Sequence, residues 1–180
     1  EFVFVPAFHA PHKKEKRPTS AFHRFAMLAL ATRGEAKIKG SKMELDLPQK
    51  PYTVETLARL KNELTETRIF FVMGADSWVD ITTWREWEKV LTMVDIIVVT
   101  RPGYKIGFEH ITDEIRKRII DLRDVEEENF ESKIQNPESK IYITDAVRLD
   151  VSATEIRLKI KENGSGWRKE VPGEAARYIE

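Results

Sequence analysis

The segment Ser152-Ala153-Thr154-Glu155-Ile156-Arg157 concentrates hydroxyl, acidic and basic groups in six positions. A serine three residues ahead of a glutamate has the spacing of a capping box, with Ser152 at the N-cap and Glu155 at N3. A helix start leaves backbone N–H groups without intrahelical partners and carries positive dipole, so it attracts phosphate. The Ser152 and Thr154 hydroxyls add donors, and Arg157, one turn in, can offer two N–H groups to the same anion. The same spacing also describes a plain capped helix with a surface arginine, and both readings stand at this point.

A second group is Phe71-Val72-Met73-Gly74-Ala75-Asp76-Ser77, followed by Thr83-Trp84-Arg85-Glu86-Trp87. Gly74 falls just past an apolar run, where a ligand can approach backbone that carries no side chain. Asp76 can accept hydrogen bonds from ribose hydroxyls, and Trp84 offers a flat ring to a heterocycle. A tight turn, an aspartate cap and packed tryptophans would look the same, and Trp87 joins the apolar face of Val90 and Leu91. Two basic loops complete the set. Pro11-His12-Lys13-Lys14 could meet phosphate or serve as a solvated loop, and Arg101-Pro102-Gly103-Tyr104 is a turn by composition with one arginine at its head. His9 and His12 have no carboxylate or cysteine close by in sequence, so no protein-held metal site is expected there.

The elements that must position these residues alternate strand and helix. Phe2 to Val5 reads as a buried strand stopped by Pro6, and a helix is expected from about Ser20 to Thr32, with Phe22, Phe25, Ala26, Leu28 and Ala29 apolar. Met43 to Leu47 alternates as a half-exposed strand does. Thr53 is a possible cap for a helix bearing Leu57, Leu60 and Leu64. Ile69 to Met73 and Ile96 to Val99 are apolar runs of strand length, with a helical pattern from Trp84 to Val94 between them. Ile111, Ile115, Ile119 and Leu122 predict a helix, Asp124 to Glu128 a solvated acidic face or loop, and Ile141 to Ile143 a short strand. A helix over Ser152 to Glu162, closed by Asn163-Gly164, precedes a last short helix over Pro172 to Ile179. His23 and His110 fall on the helical segments as ordinary surface or packing residues. Wholly apolar strands separated by helices indicate a parallel sheet covered on both faces, a doubly wound α/β domain. Such sheets bind ligands outside the carboxyl ends of their strands, which is where the residues above fall.

Composition narrows the partners. At 180 residues, one domain with a real core is expected over 1–180. Lys+Arg and Asp+Glu balance at 30 each, which argues against a surface for long nucleic acid but not against a small nucleotide. The absence of cysteine excludes disulfides, thiolate zinc sites and cysteine nucleophiles. No apolar run reaches transmembrane length, so neither membrane nor nucleic acid is expected as a partner, and a cytoplasmic location is.

Taken in order, the motifs resemble the nicotinate-nucleotide adenylyltransferases, with a Rossmann-like nucleotidyltransferase fold. The matching stretches are Val3-Phe4-Val5-Pro6, Pro11-His12-Lys13, Arg24 to Ala31, Tyr52-Thr53-Val54-Glu55-Thr56-Leu57, Gly74-Ala75-Asp76-Ser77 with Thr83-Trp84, Arg101-Pro102-Gly103-Tyr104, and Val151 to Arg157. The resemblance implies adenylyl transfer from ATP to nicotinate mononucleotide, giving deamido-NAD and pyrophosphate in NAD biosynthesis, with Mg²⁺ accompanying ATP. It implies that Ser152, Thr154 and Arg157 meet the ATP phosphates. Trp84 would stack on the pyridine ring, whose carboxylate would be held by backbone N–H groups near Thr53 and Arg85, and Asp76 would contact ribose. His12, Lys13, Gly74 and Arg101 are further candidates for phosphate or nucleotide contacts. The family also opens with a strand and a loop carrying two catalytic histidines, which nothing in these residues matches. No catalytic residue is therefore assigned, and the expectation is a chain that lacks the first strand and histidine loop and is inactive by itself. The alternatives are a non-catalytic nucleotide-binding module or fragment, and a sister adenylyltransferase acting on nicotinamide mononucleotide.

Overall fold

The computed structural model describes residues 1–7, 19–47, 51–100, 106–123, 125, 138, 140–147 and 151–180. The chain divides into two compact units, Glu1–Pro51 with Val151–Glu180, and Tyr52–Asp150.

In the first unit, β1 (Phe2–Phe4) and β2 (Ile38–Gly40) pair in parallel, with Phe2 opposite Ile38 and Phe4 opposite Gly40. Parallel neighbours need a crossover, and α1 (Ala21–Ala31) supplies it, starting after Ser20 as its sequence pattern predicts. Gly40 lets the helix lie close: a Cβ there would stand 3.2 Å from the Phe25 ring and 3.3 Å from Leu28. β1 is a strand, as expected, but it is not buried. Phe2 is 63% exposed, with Val3 and Phe4 also open to solvent, because this sheet has two strands and β1 pairs with β2 alone among the described residues. Phe22 and Ala29 of α1 are likewise exposed. The strand expected over Met43 to Leu47 is instead a turn, closed by Leu45 N–H and Asp46 N–H donating to the Lys42 carbonyl. Its alternation reflects one buried residue, Leu45, rather than a pleated face.

The same unit carries α6 (Ala153–Lys161), a 3₁₀ turn at Trp167–Glu170 and α7 (Gly173–Ile179). Asn163 takes the left-handed conformation after α6, and Gly164 N–H returns to the Lys159 carbonyl, which realises the expected helix stop. Trp167, Ala175 and Ala176 are buried, and His23 Nδ1 shares a 2.7 Å hydrogen bond with the Tyr178 hydroxyl, joining α1 to α7.

The second unit holds a four-stranded parallel sheet in the order β3-β4-β6-β5, formed by β3 (Phe70–Gly74), β4 (Asp95–Val99), β5 (Ile119–Asp121) and β6 (Ile141–Thr144). Around it lie α2 (Thr53–Glu63), α3 (Ala75–Val79), a 3₁₀ turn at Ile81–Thr83, α4 (Trp87–Met93) and α5 (Asp113–Arg116). The core is built from Val54 and Leu57 of α2, Met73 of β3, Trp78, Ile81, Val90, Leu91, and the β4 and β6 residues Ile96, Val98, Ile141 and Ile143. β3 is an edge strand, so its apolar run is covered on one side only: Met73 is buried, while Phe70 and Val72 are exposed. The helix expected from Ile111 to Leu122 is a short one followed by β5. Thr112 Oγ1 caps it by accepting from Ile115 N–H, and Ile119 already belongs to a strand. The four-residue recurrence of isoleucine spans a helix, a turn and a strand that happen to bury the same side. The helical pattern from Trp84 starts only at Trp87, because the extended Trp84 and the left-handed Glu86 intervene. His110 lies in a turn, not on a helix.

At the amino end of the sheet, Arg68 donates twice to Asp95, at 2.8 and 2.9 Å, and once to the Tyr142 hydroxyl at 3.1 Å. Asp95 also accepts from Lys140 N–H. Such bidentate pairing satisfies an otherwise costly buried carboxylate. The Asp95 hydrogen bonds hold the Arg68 guanidinium well above its ordinary pKa, and burial pushes the Tyr142 phenol up. None of this network was legible as a motif, since Arg68, Asp95 and Tyr142 are far apart in sequence.

Candidate active site

All four strands of the second unit are parallel, so their carboxyl ends open on one edge. Gly74 ends β3 and is the N-cap of α3, with φ −80° and ψ 162°. This is ordinary extended backbone, so the glycine is not required by conformation. What a side chain there would meet is Asp76: a Cβ would stand 2.7 Å from Oδ1, the outer end of that side chain. The Asp76 carboxylate folds back over Gly74 and accepts from Ser77 N–H at 2.9 Å. The side chain remains exposed at the head of α3. Trp78 fixes that helix from below. Its indole N–H donates to the Gly107 carbonyl at 3.0 Å, and its own carbonyl lies 3.0 Å from His110 Nε2, which therefore carries the proton. The neighbouring strand end, Thr100, is buried and donates its N–H to Thr144 at the end of β6.

Trp84 follows the 3₁₀ turn. It is half-buried, packs on the rim of the core, and meets Phe71 edge-on with ring centroids 6.4 Å apart. The next residue, Arg85, reaches the start of α2. Its guanidinium lies over the Tyr52 ring, 4.8 Å from the centroid, and 3.7 Å from Glu55 Oε1. Glu55 in turn accepts from Tyr52 N–H at 2.9 Å through Oε2. Thr53 is thus the first residue of α2 and not its cap; Tyr52 takes the N-cap position and Glu55 the reciprocal N3 position. The two segments singled out in the sequence, Tyr52-Thr53 and Trp84-Arg85, meet in one place. The Tyr52–Arg85–Glu55 contacts that join them were missed. The signal available was Glu55 three places after Tyr52, which the capping pattern could have flagged despite its lack of serine or threonine.

In the first unit, Ser152 caps α6 as expected, accepting from Glu155 N–H at 3.4 Å. Thr154 and Arg157 are exposed on its first turns. A hydroxyl has one donor and two acceptor sites, so Ser152 keeps its O–H to give to a ligand. His12, Lys13 and Arg101, like His9 and most of the acidic run after Asp124, lie outside the described residues. Among the described residues no group of three or more histidine, cysteine or acidic side chains could hold a metal ion, and no helix is long and apolar enough to cross a membrane.

The cytidylyltransferase-like family model matches residues 1–159. The chain is 31% identical over 165 residues to a probable nicotinate-nucleotide adenylyltransferase of Desulfatibacillum aliphaticivorans, covering 91% of this chain and 76% of that one. It is 32% identical to a probable nicotinate-nucleotide adenylyltransferase of Clostridium kluyveri, covering 90% and 73%. Among solved structures, the nicotinic acid mononucleotide adenylyltransferase of Plasmodium falciparum complexed with NaAD superposes with a TM-score of 0.67 at 21% identity, covering 99% of this chain and 79% of that one. At that identity the likeness shows the fold, a Rossmann-type nucleotidyltransferase architecture. With the parallel sheets and the sequence likeness over most of the chain together, the chain belongs to the cytidylyltransferase-like nucleotidyltransferases and, within them, to the nicotinate-nucleotide adenylyltransferase family.

Proposed function

We propose that this protein transfers the adenylyl group of ATP to nicotinate mononucleotide, giving deamido-NAD and pyrophosphate in NAD biosynthesis. A phosphate oxygen of the mononucleotide attacks the α-phosphorus of ATP. The bond from that phosphorus to the oxygen bridging the α- and β-phosphates breaks, and pyrophosphate leaves. Such chemistry needs little from the protein beyond alignment and stabilisation of charge.

The observation that carries this reading is the meeting of Tyr52-Thr53 with Trp84-Arg85 through the Arg85–Tyr52 stack. A flat indole on the rim of the core then lies next in sequence to a segment tied to a helix start. An aromatic ring bearing a carboxylate suits both features: the ring stacks on Trp84, and the carboxylate takes backbone N–H groups near Thr53 and Arg85. Asp76, exposed beyond β3, accepts from ribose hydroxyls. Ser152, Thr154 and Arg157 bind the ATP phosphates at the start of α6, with His12, Lys13 and Arg101 as further phosphate or nucleotide contacts. Magnesium enters with ATP and supplies charge neutralisation of the triphosphate. Mg²⁺ keeps several waters and favours substrate phosphates over protein cages, so the donor set fits an ion carried by the nucleotide.

The test is pyrophosphate release with ATP and either pyridine mononucleotide. Backbone N–H groups pair well with a carboxylate and poorly with a neutral amide, so nicotinate mononucleotide is preferred. Equal efficiency with both would point to the nicotinamide enzyme. Nucleotide binding without turnover would point to a binding module.

A further inference from the structure

We infer that Glu55 is a positioning residue for the pyridine mononucleotide, acting as a clamp between the start of α2 and the Trp84-Arg85 segment. This rests on the adenylyl-transfer reading above.

Both carboxylate oxygens of Glu55 are committed, and to different segments. Oε2 accepts from Tyr52 N–H at 2.9 Å, which fixes the residue just before Thr53. Oε1 faces Arg85 Nη1 at 3.7 Å, within ion-pair range. Arg85 closes the triangle by lying over the Tyr52 ring at 4.8 Å. It also lies 3.9 Å from Glu86 Oε1, and Glu86 is paired with Lys89 at 3.2 Å, so Glu55 is the acidic partner that ties Arg85 to another element. In the backbone between Trp84 and α4, Trp84 N–H returns to the Ile81 carbonyl, and Glu86 adopts φ 50°, a conformation an L-residue takes at a cost. The Trp84 ring packs on Phe71 of β3, and the side-chain contacts of Arg85 add a tie from the same segment to the start of α2.

Glu55 has a second consequence. A carboxylate beside a helix start opposes the approach of another carboxylate. Arg85 offsets that charge while its planar guanidinium stacks on Tyr52. The Arg85 side chain is therefore occupied by Glu55 and Tyr52, which leaves the ligand carboxylate to backbone N–H groups. The clamp sets their spacing.

The test compares Glu55→Ala and Glu55→Gln with the unmodified protein in steady-state assays, each substrate varied in turn, beside hydrogen exchange of the Tyr52–Thr56 amides. Glutamine keeps an acceptor for Tyr52 N–H and loses the charge. Glu55→Ala is expected to raise KM for nicotinate mononucleotide about tenfold, in line with the loss of a helix-start hydrogen bond and its ion pair. KM for ATP and kcat are expected to stay within about twofold, the amides to exchange faster, and Glu55→Gln to recover most of the KM. An unchanged mononucleotide KM in active Glu55→Ala protein overturns the positioning role. So does a parallel loss in both KM values and kcat, which marks general loosening. If Glu55→Ala fails to fold, Glu55→Met, which keeps the length of the side chain and removes both acceptors, carries the test: an unchanged mononucleotide KM overturns the proposal. Unmodified protein that turns over no pyridine mononucleotide overturns the parent reading, while faster amide exchange in Glu55→Ala would still report the clamp.

Discussion

Replacing Gly74 by alanine adds one methyl group against the end of the Asp76 side chain. The backbone there accepts alanine without strain, at φ −80° and ψ 162°. The whole effect falls on Asp76, whose Oδ1 would lie 2.7 Å from the new carbon, well inside van der Waals contact. The carboxylate must swing away and give up its 2.9 Å hydrogen bond from Ser77 N–H. A hydrogen bond to a charged group is worth about 1.5–3 kcal/mol, and the exposure of Asp76 puts this one at the low end. Alanine also restricts the unfolded chain, which returns about 0.4–1 kcal/mol to the folded state. Stability should therefore change by less than about 1 kcal/mol. The proposed ribose contact depends on where the carboxylate points, so on that proposal nucleotide affinity should fall about tenfold, or ~1.4 kcal/mol. Calorimetric titration beside thermal melting of Gly74→Ala and Asp76→Asn is the assay. Gly74→Ala protein with unmodified affinity, while Asp76→Asn binds poorly, would refute the idea that Gly74 serves to hold the Asp76 carboxylate in its binding orientation.

Trp84→Ala should weaken mononucleotide binding by roughly 1–3 kcal/mol, the worth of an aromatic stack. Because Trp84 is only half-buried, its stability cost should stay below the ~3–5 kcal/mol of a core tryptophan; a large melting drop at unchanged affinity would make it a packing residue. Arg157→Ala should weaken ATP binding more than mononucleotide binding if it meets the triphosphate as proposed, and separate titration of each ligand checks this. Burial raises the Tyr142 phenol above its ordinary value, so the folded state holds that proton more tightly than the unfolded chain. The associated stability is complete below the unfolded pKa and is lost as pH rises through the folded one. Urea unfolding near neutral pH and in the alkaline range should show a steeper loss for unmodified protein than for Tyr142→Phe; parallel losses would assign the effect to other groups.

Much of the strand and helix order was legible because buried parallel strands and capped helices leave strong local marks. Ile96 to Val99, Ile141 to Ile143 and the Ser152 helix start fall where their patterns put them. The misreadings have a common cause. The run Ile111 to Leu122 keeps a four-residue apolar recurrence across three different elements, because burial on one side is set by the tertiary fold and not by helical period. Met43 to Leu47 alternates by coincidence around the single buried Leu45. Phe2 to Phe4 and Phe70 to Val72 are apolar enough for a covered sheet, yet in their own units they flank uncovered faces. At the candidate site, Gly74, Asp76 and Trp84 stand out in the sequence by type and position. Their arrangement could not, because it depends on contacts such as Arg85 over Tyr52 and Trp78 to Gly107 that no spacing rule encodes.

The most direct measurement of the central claim is product analysis after incubating the chain, extended ahead of Glu1 by a strand and histidine loop of its family, with ATP, Mg²⁺ and nicotinate mononucleotide. Deamido-NAD and pyrophosphate should appear in equal amounts, with nicotinamide mononucleotide giving markedly less. Binding of both nucleotides with neither product formed, or equal yields from the two mononucleotides, would contradict it.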